Sequence, residues 1–180
     1  RREQLVQLRQ KIEAAEFDPE LRKMVLETVA REYAGKGLFV RSSSNSEDLP
    51  NFSGAGLYTT VPNVRGDQQL IDAIRKVWAS LWNFEAYEAR ERAGVDHSKI
   101  FMAVLLQEGI NSESSGVMIS TDPFDNENKG AIYISAKRGL GIKVVEGQRI
   151  AEQILFRPRT NAVKVLTRSA EDSLLTFDEN

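Results

Sequence analysis

The chain has 180 residues, enough for one domain with a proper core or two small lobes, and its composition is that of an ordinary globular protein. A net charge of -2 provides no broad basic field, which disfavours general nucleic-acid binding. With no cysteine and a single histidine, His97, the sequence excludes disulfide scaffolds, thiolate metal sites, cysteine nucleophiles and histidine-rich metal sites.

No apolar run approaches the roughly 20 residues of a membrane span. A reducing, cytoplasmic setting without membrane contact is expected. The chain opens Arg1-Arg2 without methionine and reads as a fragment of a longer protein.

Residues 3–16 are expected to be helical, with Leu5, Leu8, Ile12 and Ala15 recurring at three- and four-residue spacing. Asp18-Pro19 is a cap followed by a first-turn proline. A second helix should follow over 19–34, with Leu21, Met24, Val25, Thr28 and Val29 inward, and Gly35-Lys36-Gly37 should stop it. Nothing in these helices suggests chemistry. Lys36 reads as a solvated lysine rather than a phosphate contact.

Residues 38–64 stand out. Leu38, Phe39 and Val40 form a short strand-like run with Arg41 at its end. Ser42 to Asp48 is a polar run that cannot be buried without hydrogen-bond partners. Pro50, Gly54 and Gly56 break regular structure, and a second strand is expected over 57–61. A glycine-bearing polar loop with an arginine at its mouth suits an anion, because backbone N–H groups, hydroxyls and a guanidinium fork all donate. The alternative is a solvated connection between strands. Composition alone favours that alternative.

Asp67 is a plausible N-cap for a long helix running to about Ala93. Leu70, Ile71, Ile74, Val77, Trp78, Leu81 and Trp82 form its apolar stripe. Trp78 and Trp82 read as core rather than as a stacking platform. Glu85, Glu88, Arg90, Glu91 and Arg92 read as a solvated charged face.

From Ile100 the pattern turns to strands. The run over 100–106 suits a strand buried on both faces, and it is expected to form a hairpin with a strand over 116–121. Asp125, Asn126, Glu127 and Asn128 lack the spacing of a calcium loop, so no metal site is expected there. A third strand covers 130–136. Gly139-Leu140-Gly141 follows Lys137-Arg138, whose charges make an anion contact more plausible than glycine alone would. Gly147 marks a turn. Residues 151–156 and 162–166 read as a last hairpin, and 168–180 as a loosely held polar tail. The pattern is α+β, with a change of character near residue 97. The expected organisation is a helical and phosphate-loop lobe over 1–96, an antiparallel strand lobe over 97–168 and a tail over 169–180.

Several ordered groups carry a resemblance. They are Val40-Arg41-Ser42-Ser43, Glu47-Asp48-Leu49-Pro50, Ser53-Gly54-Ala55-Gly56-Leu57-Tyr58, Pro62-Asn63-Val64 and Val77-Trp78-Ala79-Ser80-Leu81. Residues 102–108, Gly116-Val117-Met118, Thr121-Asp122-Pro123 and Gly139-Leu140-Gly141 follow in the same order. Together they resemble the nucleotide-binding domain of phosphoenolpyruvate synthases, pyruvate phosphate dikinases and α-glucan water dikinases, over about residues 38–156. The resemblance implies an ATP-grasp-like fold of two α+β lobes holding ATP. It implies that Arg41, also the candidate catalytic residue, binds the terminal phosphates. Gly54, Gly56 and Thr60 would cover the phosphates, and Gln107 and Glu108 would line the adenine and ribose pocket.

The resemblance also implies Mg²⁺ whose ligands lie beyond this chain, a phosphohistidine domain elsewhere in the parent protein, and pyruvate or a carbohydrate as acceptor. The fragment alone is expected to be inactive. Ile142 stands where the family usually has a glutamate after Gly-Leu-Gly. That departure keeps open a non-catalytic nucleotide-binding or regulatory module that retained the fold.

Overall fold

The structure, a computed structural model, describes residues 1–49, 52–141, 151–169 and 175–177. It is α+β and divides into two compact units, Arg1–Gly109 and Ile110–Asn180. The boundary between the units does not coincide with the change of character near residue 97. Pro50, Ile142, Gly147 and most of the tail lie outside the described residues.

The first unit begins with helices α1 (Arg2–Ala14) and α2 (Pro19–Glu32). The Asp18 carboxylate accepts the Leu21 N–H at 2.8 Å, and Pro19 occupies the first turn of α2, so the cap forms where the sequence places it. Leu21, Val25, Leu26 and Val29 of α2 pack on the core. Met24, expected inward, is 59% exposed.

Strand β1 (Leu38–Ser44) leads into a two-rung ladder of β2 (Asp48–Leu49) and β3 (Phe52–Ser53). The expected strand over 57–61 is displaced: Leu57 to Thr60 are irregular, and β4 runs Val61–Val64. Helix α3 (Asp67–Ala79) follows, with Gly66 as N-cap, so Asp67 is its first helical residue and not the cap. The long helix expected to Ala93 is interrupted. A 3₁₀ turn, Ser80–Trp82, and an extended Asn83 (ψ 140°) separate α3 from α4 (Phe84–Arg92). Asn83 is held there by tertiary bonds, its side-chain amide donating to the Leu57 carbonyl at 3.1 Å and accepting from Arg9 at 3.1 Å. After a second 3₁₀ turn, His97–Lys99, comes β5 (Met102–Glu108).

The sheet of this unit has the order β4-β1-β5 and is antiparallel throughout. The expected hairpin of β5 with the following strand does not form, because β5 pairs with β1 over seven rungs, from Leu38–Glu108 to Ser44–Met102. Leu38, Val40 and Val64 meet Leu70, Ile71, Ile74 and Val77 of α3 in the core, each fully buried aliphatic contributing about 1.5–3 kcal/mol. Phe17 stacks on Trp78 at 5.2 Å, which supports the reading of Trp78 as core.

The second unit is a four-stranded antiparallel sheet of β6 (Ser114–Ile119), β7 (Ile132–Arg138), β8 (Glu152–Arg157) and β9 (Ala162–Thr167), in that order. Ala131, Tyr133 and Leu155 form its buried cluster. The β8–β9 hairpin turns where expected, with Asn161 in the left-handed region (φ 52°). Part of the tail is docked rather than loose: Leu175 bridges Gly139, the Leu140 N–H donates to the Leu175 carbonyl at 2.8 Å, and Phe177 is buried.

Candidate functional site

The pleat of β1 divides its residues between two environments. Leu38, Val40 and Ser44 are buried on the helix side. Phe39, Arg41 and Ser43 point the other way, opposite Gln107, Leu105 and Ala103 of β5. This second face is open: Arg41 and Gln107 are exposed, and Leu105 is 52% exposed. Strand β5 is therefore half-exposed and not buried on both faces, contrary to its apolar sequence.

Arg41 Nη1 donates to Gln107 Oε1 at 2.9 Å. Among the described residues no carboxylate forms an ion pair with Arg41. Its charge is thus steered by a neutral amide but not neutralised. Thr60 is exposed and directly precedes Val61, which pairs with Val40, so it flanks Arg41 at the sheet edge. Glu108 is on the opposite pleat from Gln107 and forms an ion pair with Lys36 at 2.7 Å. Arg41, Gln107 and Thr60 are brought together, and the Glu108 side chain is not with them.

The glycine loop closes over the end of β1. The Gly54 N–H donates to the Glu47 carbonyl at 2.8 Å, and Leu57 N–H to the Gly54 carbonyl at 3.1 Å. Gly54 is buried, and a methyl group there would lie 3.1 Å from both Glu47 Cα and Tyr58 Cε2 and 3.2 Å from the Ser46 carbonyl oxygen. Gly56 is exposed in the left-handed region, φ 77°, with open space around it. Only Ser44 and Ser46 of the polar run are buried, and both are hydrogen-bonded within the protein, as burial demands. Ser46 Oγ lies 2.9 Å from Ser44 Oγ and 2.8 Å from the Tyr58 hydroxyl.

Sequence reasoning placed Arg90 on a solvated face. It is in fact fully buried (0% exposed). Its guanidinium donates to the Leu81 carbonyl at 2.6 Å, the Tyr58 hydroxyl at 3.2 Å and His97 Nδ1 at 3.3 Å. Those partners come from three separate segments, so no local signal marks them. His97 sits in its turn, stacked on Tyr87 at 4.5 Å, with Nε2 2.8 Å from Glu91.

In the second unit Lys137 is buried and Arg138 exposed, adjacent residues on opposite pleats, so the two cations do not converge on the Gly139-Leu140-Gly141 turn. That turn is held by Ser115 Oγ, which donates to the Gly139 carbonyl at 2.8 Å. The acidic loop is also committed to internal bonds. Asp122, 4% exposed, accepts from Asn128 Nδ2 at 2.8 Å and the Phe124 N–H at 3.0 Å, and Asn128 accepts from Arg157 at 3.0 Å. The Asn128 amide first, and the Phe124 N–H second, hold the Asp122 carboxyl below the usual carboxylate range. Among the described residues no cluster of three or more His, Cys, Asp or Glu could hold a metal ion, and no helix is long and apolar enough to cross a membrane.

Residues 2–180 match the family described as pyruvate phosphate dikinase, AMP/ATP-binding domain. The chain is 35% identical over 162 residues to a probable phosphoenolpyruvate synthase of Pyrococcus horikoshii, an alignment covering 87% of this chain and 20% of that protein. It is 40% identical over 125 residues to phosphoenolpyruvate synthase of Pyrococcus furiosus, covering 69% of this chain and 15% of that protein. It is 34% identical over 140 residues to a rifampicin phosphotransferase of Streptomyces sp., covering 78% of this chain and 16% of that protein. The chain thus spans a fifth or less of these relatives. The observed α+β fold, with helices and antiparallel sheets, is ATP-grasp-like.

Proposed function

Because the chain belongs to the pyruvate phosphate dikinase AMP/ATP-binding domain family, we propose that its first unit forms one wall of an ATP site within a larger phosphotransferase. One observation carries this reading. Arg41 presents a guanidinium on an open sheet face, oriented by Gln107 and not neutralised by any described carboxylate. Such a group has its remaining donors free for a polyphosphate, which it grips through two oxygens.

On this reading Arg41 binds the terminal phosphates. Thr60 donates from the sheet edge beside it, and Gly54 and Gly56 let the loop backbone lie close to the phosphates. Gln107 orients Arg41 and, with the end of β5, borders the base. Glu108 contributes through its backbone, since its side chain is paired with Lys36. ATP, when bound, supplies the transferable phosphoryl group. Its charge requires Mg²⁺, and the family resemblance puts the ligands of that ion in other parts of the parent protein. The parent then passes phosphoryl through an enzyme histidine to pyruvate or a carbohydrate.

Calorimetric titration of the full-length protein with Mg·ATP tests the reading. Arg41→Ala is expected to weaken binding at least about tenfold, the effect of losing a charge-assisted bidentate contact. Unchanged affinity would sink the assignment. A second reading, a non-catalytic module that kept the fold, is favoured by Ile142 in place of the family's glutamate. Incubation with γ- and β-labelled ATP separates the two, because stable label on a histidine rules the second out.

A further inference from the structure

The geometry points to Arg90 as a positioning residue that sets the glycine loop relative to the strand bearing Arg41. This inference rests on the ATP-site reading given above. Arg90 is fully buried, yet every partner found for it is neutral: a carbonyl, a phenol and an imidazole nitrogen. Its guanidinium also lies 5.9 Å from the Trp82 ring centroid. A buried charge without a counter-charge is costly to retain as a stability device alone. What it does provide is direction.

Arginine can only donate. The Tyr58 hydroxyl must therefore accept from Arg90, which leaves its own proton for Ser46 Oγ at 2.8 Å. With that orientation the Ser46 hydroxyl proton is left for Ser44 Oγ, 2.9 Å away, and Ser44 Oγ also accepts the Ser46 N–H at 3.2 Å. At the other end, Arg90 Nε–H donates to His97 Nδ1, so the His97 proton is on Nε2, facing Glu91.

The result is one oriented chain of donors from α4 through Tyr58 and Ser46 to Ser44. Each link is attached to something the site needs. Ser44 is the last residue of β1, three positions after Arg41. Tyr58 packs its ring on Gly54. Ser46 is 1% exposed, so water does not compete for its hydroxyl. The chain of bonds therefore ties the two candidate phosphate-binding elements to one buried charge. Loosening it should leave the open sheet face intact and let the glycine loop drift. Polyphosphate affinity should fall while recognition of the base and ribose persists.

The test measures Kd values of the full-length protein for Mg·ATP and for AMP in wild type, Tyr58→Phe, Arg90→Lys and the double variant. Tyr58→Phe keeps the ring and removes only the hydroxyl, so it reads the network even if Arg90→Lys does not fold. It is expected to weaken Mg·ATP about tenfold and AMP less than about twofold. The double variant should be no worse than the more affected single one, as for residues acting in series. Equal losses for ATP and AMP, or no loss for either, would overturn the positioning role while Arg41→Ala still weakens ATP. If Arg41→Ala is also silent, the ATP-site reading fails and this inference fails with it.

Discussion

Gly54→Ala tests whether the glycine loop is clamped or merely tucked in. The added methyl group would meet Glu47 Cα and Tyr58 Cε2 at 3.1 Å and the Ser46 carbonyl oxygen at 3.2 Å, so each neighbour must yield by a few tenths of an ångström. The two backbone neighbours cannot yield without stretching the 2.8 Å bond from Gly54 N–H to the Glu47 carbonyl. The tyrosine ring cannot yield without breaking from Ser46 and Arg90. Overpacking of this kind costs about 1–3 kcal/mol. Alanine restricts the unfolded chain and returns about 0.4–1 kcal/mol, leaving a net loss of about 1–2 kcal/mol. At about 4 °C per kcal/mol for a unit of this size, the melting point falls by about 4–8 °C. Trp78 and Trp82 are the only tryptophans and both belong to the first unit, so intrinsic fluorescence in a denaturant titration reports this unit selectively. In a Tyr58→Phe background the ring is free to swing, and the cost of Gly54→Ala should shrink. A Gly54→Ala protein as stable as wild type, or one whose cost is indifferent to Tyr58→Phe, would refute the clamped loop.

Removing the cap of α2 by Asp18→Ala should destabilise the first unit by about 1 kcal/mol, read from the same fluorescence midpoint. Asp122 sets a pH dependence in the second unit. Its folded pKa is lowered, so its contribution is fully present above the ordinary carboxylate value, about 3.9, and is lost as pH falls through the depressed folded value. Amide exchange across residues 121–131 should therefore be faster in Asp122→Ala than in wild type at neutral pH, after correction for intrinsic exchange rates. That gap should close as the medium is acidified below about pH 4; a gap constant with pH would contradict the assignment.

Local signals carried much of the fold. The helix at Pro19 could be read because its cap, Asp18, is adjacent and acts through a bond three residues long. The start of strand β1 followed from its short apolar run, but the strand continues through Arg41 to Ser44, where a polar loop was expected. Features set by distant partners were not legible. Asn83 interrupts a continuous helical pattern because the Leu57 carbonyl and Arg9 hold it. The strand expected at Leu57 starts instead at Val61, because Tyr58 is drawn inward by Ser46 and Arg90. The apolar run of β5 suggested burial on both faces, but it pairs with β1 and leaves Phe101 and Leu105 68% and 52% exposed. Arg90 sits among Glu88, Glu91 and Arg92, a composition that normally marks solvent, and its burial depends on groups nine, seven and thirty-two residues away.

The pairing of β1 with β4 contains a bulge: two steps along β1, from Leu38 to Val40, are matched by three along β4, from Val64 to Val61. Asn63, with φ 50°, lies in that step. Side chains in a strand alternate with strict parity, so one added residue exchanges the two faces downstream. Had the extra residue been in β1, Arg41 would point at Ile71 and Val77, and Val40 or Ser42 would face out. Placed in the edge strand, the irregularity leaves the facing of Arg41 unchanged, and together with Pro62 it blunts an edge that could otherwise recruit a foreign strand. A single-residue length change between Leu38 and Arg41 would accordingly invert the polarity of the whole face.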